Sequence, residues 1–179
     1  GTIASGRIRK GETVMSLPSR KTSRVKSIVT FDGELDEAFT PMSVTLTLED
    51  EIDVSRGDML VRPENVPTIA DAFDATIVWM ADDALTPGKQ YYIKQASKIV
   101  SGSISSIRYR IDVNTLHRQD TEKLALNEIG RCQVRLNQPI AFDNYRSNHG
   151  TGSFIVIDRM TNVTVGAGMI LQQSSAAQK

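Results

Sequence analysis

Several things are scarce in this chain of 179 residues, and each scarcity excludes a class. There is one cysteine, Cys132, so no disulfide can form within the chain. That predicts a reducing, cytoplasmic setting. With only His117 and His149 beside that thiol, four soft ligands for a structural zinc ion cannot be assembled. No charge excess exists: 21 Lys and Arg stand against 21 Asp and Glu. A dedicated nucleic-acid binder carries a clear basic surplus, so the balance argues against nucleic acid as a partner. No apolar run approaches the roughly 18 residues that cross a bilayer. Nothing at the start reads as a secretory leader, so no membrane association is expected.

Motifs for chemistry are equally sparse. There is no G-x-x-x-x-G-K-[ST] phosphate loop. Gly166-Ala167-Gly168 is not followed by a helical pattern, which speaks against a dinucleotide turn and for close backbone packing. Gly150-Thr151-Gly152-Ser153 does not match the nucleophile elbow, and His149 beside it reads as a surface loop residue. Glu49, Asp50, Glu51 and Asp53 lack the alternation of a calcium loop and read as a solvated segment between strand and turn. Arg56-Gly57-Asp58 reads as a turn with glycine at an unusual dihedral angle. No catalytic residue, cofactor ligand or metal ligand stands out.

What is abundant is β pattern. Residues 13–17 alternate and stop at Pro18; Val25, Ile28, Val29 and Phe31 follow, closed by an Asp32-Gly33 turn. Val44, Leu46 and Leu48 share one face of a strand, and residues 59–61 follow the turn at Gly57. Two prolines within residues 62–67 favour extended chain, which predicts a linker there. Beyond it, residues 73–80, 91–93, 133–136, 154–157 and 162–170 read as strands. Residues 98–113 read as two paired strands with a break near Gly102, and Pro139 interrupts another strand. Only residues 120–129, through Leu124, Leu126 and Ile129, offer a possible helical turn. The fold class expected is all-β: two consecutive antiparallel barrels, at 1–66 and 67–171, with a polar, frayed tail at 172–179. The first barrel is small enough that an upstream strand, outside these residues, is expected to complete it.

Charge is polarised within the first barrel. Residues 1–30 hold Arg7, Arg9, Lys10, Arg20, Lys21, Arg24 and Lys26 against Glu12. Residues 31–60 hold Asp32, Glu34, Asp36, Glu37, Glu49, Asp50, Glu51, Asp53 and Asp58 against Arg56. Either these charges pair on the surface, at little energy each, or they steer a protein partner. In the second case Arg24 and Lys26 are the candidate contact residues.

Some runs are more specific. Gly1-Thr2-Ile3-Ala4-Ser5-Gly6-Arg7, Arg56-Gly57-Asp58-Met59-Leu60 and Thr164-Val165-Gly166-Ala167-Gly168 resemble the opening and end of the second domain, and the last strand of the third, of elongation factor Tu-like GTPases. Within that superfamily, residues 23–33, 44–53, 72–75, 78–80, 112–116, 127–131 and 151–159 resemble the large subunits of heterodimeric bacterial ATP sulfurylases. The resemblance implies a two-subunit enzyme that joins ATP and sulfate into adenosine 5′-phosphosulfate and pyrophosphate, driven by GTP hydrolysis. It implies GTP and magnesium in an N-terminal GTPase domain and adenylylation in the small subunit, so no cofactor and no activity belong to these residues alone. The small subunit and the chain's own GTPase domain are the implied partners. Gly166, Ala167 and Gly168 are then expected to allow close approach to the GTPase domain. The alternative is a translation-factor barrel pair that binds tRNA, for which the bases from Arg7 to Lys26 are the support.

Overall fold

A computed structural model describes residues 1–174. The described residues contain strands and turns and no helix. They divide into a compact unit from Gly1 to Pro67 and a second from Thr68 onward.

The first unit is built from β1 (Arg7–Arg9), β2 (Thr13–Leu17), β3 (Thr22–Thr30), β4 (Gly33–Leu35), β5 (Glu37–Phe39), β6 (Thr45–Leu48) and β7 (Met59–Val61). β3 is its hub. It pairs antiparallel with β2, β4 and β6, and β2 carries β7. β1 and β5 form a separate two-stranded sheet. The period of two puts Ser23, Val25 and Ile28 inside and leaves Arg24 and Lys26 outside. A register shift between Val25 and Ser27 resets the alternation. Val14, Val25, Ile28, Ala38 and Val44 form the core, flanked by half-buried Ile3, Ile8, Leu35, Met42, Leu46 and Leu48. Arg62, placed in the expected linker, donates to the Arg7 carbonyl at 2.8 Å and pairs with Glu12 at 3.4 Å, so it is tied to this unit.

The second unit contains β8 (Thr68–Trp79), β9 (Gln90–Gln95), β10 (Lys98–Ile111), β11 (Arg118–Gln119), β12 (Ile129–Phe142), β13 (Ser153–Ile157) and β14 (Thr164–Gln173). Six of them close into a ring, β9–β10–β12–β8–β14–β13 and back to β9, all antiparallel. Closure removes the free edges an open sheet would expose. The interior is packed with Phe73, Ile77, Trp79, Ile93, Ile104, Val134, Phe154, Val156 and Ile170, among others. Phe73 meets Phe142 at 5.3 Å and Phe154 at 5.4 Å, and Trp79 meets Tyr91 edge-on at 5.7 Å. Such tilted contacts add to the area each ring buries.

Several expectations change. β10 runs unbroken through Gly102, which is there because a Cβ would lie 2.8 Å from the Arg135 carbonyl oxygen; the glycine marks a close strand approach, not a turn. β12 runs past Pro139 through a register shift between Arg135 and Ile140, where the missing donor removes no ladder bond. No helical turn forms at 120–129. Leu124 is fully buried and bridges Leu85, while Leu126 is exposed. The expected tail starts later, since Gln172 and Gln173 lie in β14 and Ser174 is buried; residues 175–179 lie outside the described residues.

Candidate interaction surfaces

The charge split of the first unit is only partly neutralised. Arg7 and Arg9 both reach Glu37, at 3.2 and 2.8 Å, across the β1–β5 pair. Asp50 is held instead by Ser23: its carboxylate accepts from the Ser23 Oγ at 2.9 Å, and its N–H donates back at 3.0 Å. Among the described residues Arg24 and Lys26 form no ion pair and point outward from β3. Two guanidinium or ammonium groups therefore stand free on one strand face, as a steering surface requires.

At the far end of β3 the chain turns into β4. The ladder pairs Ile28 with Leu35, Val29 with Glu34 and Thr30 with Gly33. The tip is thus Phe31-Asp32, one residue earlier than the expected Asp32-Gly33, and Gly33 takes a φ of 121° as the first residue of β4. The shift moves Phe31 from the end of the strand, where the sequence pattern put it, into the turn. Its side chain is 104% exposed, the most exposed large apolar side chain among the described residues. Asp32 and Glu34 beside it, and Asp36 at the far end of β4, are exposed and form no ion pair among the described residues. The signal available in the sequence was an aromatic residue directly before a turn dipeptide.

Gly166, Ala167 and Gly168 lie together on β14, but they face different ways. Gly166 pairs with Trp79 and Gly168 with Ile77, both in the inward row of β8. A Cβ on Gly166 would meet the Trp79 ring at 3.2 Å; one on Gly168 would meet the Phe154 ring at 2.2 Å. The need for glycine therefore comes from the barrel interior. Only Ala167, half-buried, faces outward.

The remaining motifs have local roles. His149 is exposed and stacks on Tyr145, ring centroids 4.2 Å apart; the Ser153 Oγ donates to the His149 carbonyl, and Asp143 accepts from Thr151, so no catalytic relay joins them. Gly57 has a φ of 96° in the expected turn. The tight turn between β13 and β14 is organised by Asp158, whose Oδ1 accepts from Met160 N at 2.8 Å and Thr161 N at 3.0 Å. Its other oxygen receives Lys89 at 3.2 Å. Those backbone donors, and then Lys89, pull its carboxyl down to about 2. Sequence reading also passed over an outer basic face. Arg118 stacks over Tyr109 at 4.7 Å, Arg108 pairs with the buried Asp74, and Arg110 pairs with Glu128. Among the described residues no group of three or more His, Cys, Asp or Glu could hold a metal ion, and no helix is long and apolar enough to cross a membrane.

Comparison with known proteins adds identity to this geometry. The family model described as GTP-eEF1A C-terminal domain-like matches residues 72–171. Sulfate adenylyltransferase subunit 1 of Shewanella woodyi is 58% identical over 170 residues, covering 95% of this chain and 36% of that protein. The bifunctional enzyme CysN/CysC of Rhodopirellula baltica is 54% identical over 175 residues, covering 98% of this chain and 27% of that protein. The chain thus spans about a third of the length of the curated relatives it matches. Among solved structures, sup35 complexed with GDP superposes with a TM-score of 0.88 at 20% identity, over 97% of this chain and 43% of that one. The expected all-β two-barrel class and the resemblance to sulfate-activating large subunits are both borne out.

Proposed function

The chain belongs to the GTP-eEF1A C-terminal domain-like family, and on that premise we propose that it is the paired-barrel part of the GTP-hydrolysing subunit of a sulfate adenylyltransferase. In this reading the whole enzyme transfers the adenylyl group of ATP to sulfate, giving adenosine 5′-phosphosulfate and pyrophosphate. The mixed anhydride formed is high in energy, so the transfer is drawn forward by GTP hydrolysis. The observation that carries the reading is the 58% identity over 170 residues to a sulfate adenylyltransferase subunit 1.

The residues present do not fit the nucleotide or its magnesium. The sequence has no phosphate loop, and among the described residues no group of three or more His, Cys, Asp or Glu could hold a metal ion. No chemical step is assigned to them. Their work is mechanical: a closed, densely packed barrel moves as a rigid body, and a charged strand face binds a neighbour. The proposed partners are a small catalytic subunit and a GTPase domain of the same polypeptide, in the cytoplasm. Arg24 and Lys26 are the proposed contact residues of the first unit, and Ala167 that of the second. An upstream strand is proposed to complete the first unit.

The test uses the full-length polypeptide with its small subunit. GTP-dependent pyrophosphate release from ATP and sulfate is expected. Reversing Arg24 and Lys26 to Glu should weaken subunit assembly several-fold at low salt and leave the melting temperature unchanged. Absence of GTP-dependent release would sink the proposed activity, and unchanged assembly at low salt would remove the two residues from the interface.

A further inference from the structure

The tip of the β3–β4 hairpin has no structural reason to carry an aromatic ring. Turn positions favour Asp, Asn and Gly, which satisfy the local backbone, and Gly33 already supplies the positive φ of 121°. The hairpin is held without Phe31. Its ladder runs from Ile28 to Leu35, and the Thr30 Oγ donates to the Gly33 carbonyl at 3.1 Å. Yet the ring stands wholly in water at 104% exposure, while Ile28, three residues earlier in the chain, is fully buried. An aromatic side chain on a rigid two-stranded arm presents large contact area with little conformational freedom to lose on binding.

The charges around it define what it fits. Asp32 and Glu34 flank the tip, and Asp36 follows at the foot of β4, with carboxylates that have no ion-pair partner among the described residues. They repel nucleic-acid phosphates and anionic lipid headgroups. They suit a protein pocket that is apolar at its floor and lined with Lys or Arg at its rim. Along the same strand, Lys26 lies five residues from Phe31, or about 16 Å of extended chain. A partner that grips this hairpin therefore meets a negative tip and a positive base.

We infer that Phe31 is the anchor by which the first unit docks into a basic-rimmed apolar pocket of its partner subunit. This rests on the proposed pairing with a small subunit and names the part of the chain that makes it. Arg24 and Lys26 then set encounter and register, while Phe31 sets the lifetime of the complex.

The experiment measures association of the full-length polypeptide with the small subunit by titration calorimetry, with sedimentation of each protein alone. Phe31→Ala should weaken affinity about 30-fold with an unchanged melting temperature. Phe31→Trp should retain most of it, since the anchor ring is kept. Glu34→Lys with Asp32→Lys should slow association several-fold and flatten its salt dependence. If Phe31→Ala binds like the parent, the anchor is overturned while the subunit pairing stands. If the parent itself fails to bind the small subunit, the pairing falls and the anchor with it. If Phe31→Ala instead abolishes self-association, or binding to anionic vesicles or RNA, and leaves subunit affinity intact, the partner inferred here is wrong.

Discussion

Replacing Gly168 with alanine should destabilise the second barrel, whereas the same change at Gly166 should be almost silent. Two effects oppose each other in any such substitution. Alanine has fewer unfolded conformations to lose, which favours the folded state by about 0.5–1 kcal/mol where the backbone is compatible. The added methyl must also find room. At Gly166 it would lie 3.2 Å from the Trp79 Cε3 and 3.3 Å from the Val78 carbonyl oxygen. A shift of a few tenths of an ångström relieves that, so the two effects nearly cancel. At Gly168 the methyl would lie 2.2, 2.5 and 2.8 Å from three carbons of the Phe154 ring. Carbon pairs are comfortable at about 3.5–4.0 Å, so the ring must retreat by more than an ångström. Phe154 is buried at 3% exposure and backed edge-on by Phe73, which is itself packed against Phe142. Those rings resist its retreat, and overpacking of this kind costs about 1–3 kcal/mol.

The net loss of about 1–2 kcal/mol lowers the melting temperature of a unit this size by roughly 4–8 °C for each kcal/mol. Differential scanning calorimetry of the parent, Gly166→Ala and Gly168→Ala proteins would resolve it. A cycle with Phe154→Leu isolates the cause. Leucine removes ring atoms that the methyl would meet, so the double variant should be less unstable than the two losses added, by about 1 kcal/mol. Additive losses, or a Gly168→Ala protein as stable as the parent, would refute the inward orientation of these glycines.

Two further outcomes are expected. The carboxyl of Asp158 sits at about 2, below its ordinary 3.8, so its contribution to stability is complete above pH 4 and is lost as pH falls towards 2. Asp158→Asn should lower stability at neutral pH and flatten the fall in melting temperature between pH 4 and 2; parallel curves for the two proteins would contradict the turn's role. Burial pushes the Cys132 thiol up to about 12, so at pH 8 a disulfide reagent should label it only through opening of the barrel, far more slowly than in unfolded protein; immediate labelling of folded protein would show that the interior is not packed as described.

How far the sequence could be read followed from how local each signal is. The alternation at Val44, Leu46 and Leu48 is a property of one strand, and in the fold these three do turn away from exposed Thr45 and Thr47. Gly102 and Pro139 mislead because the same residues serve turns and strands. What distinguishes them is the neighbouring strand: the Arg135 carbonyl pressing on Gly102, and the shifted register where Pro139 needs no donor. Gly166 and Gly168 are legible as strand residues, but their direction is fixed by pairing with β8, which no short window contains. The anchor at Phe31 is the sharpest case. Reading the turn at Asp32-Gly33 makes Phe31 the last residue of the strand; pairing Thr30 with Gly33 makes it the tip. One residue of register moves it from a paired strand position to the unpaired end of the hairpin. The candidate contact on the first unit therefore lay in the sequence as one apolar residue of a strand, and the hairpin register, which no short window contains, is what sets it at the exposed tip.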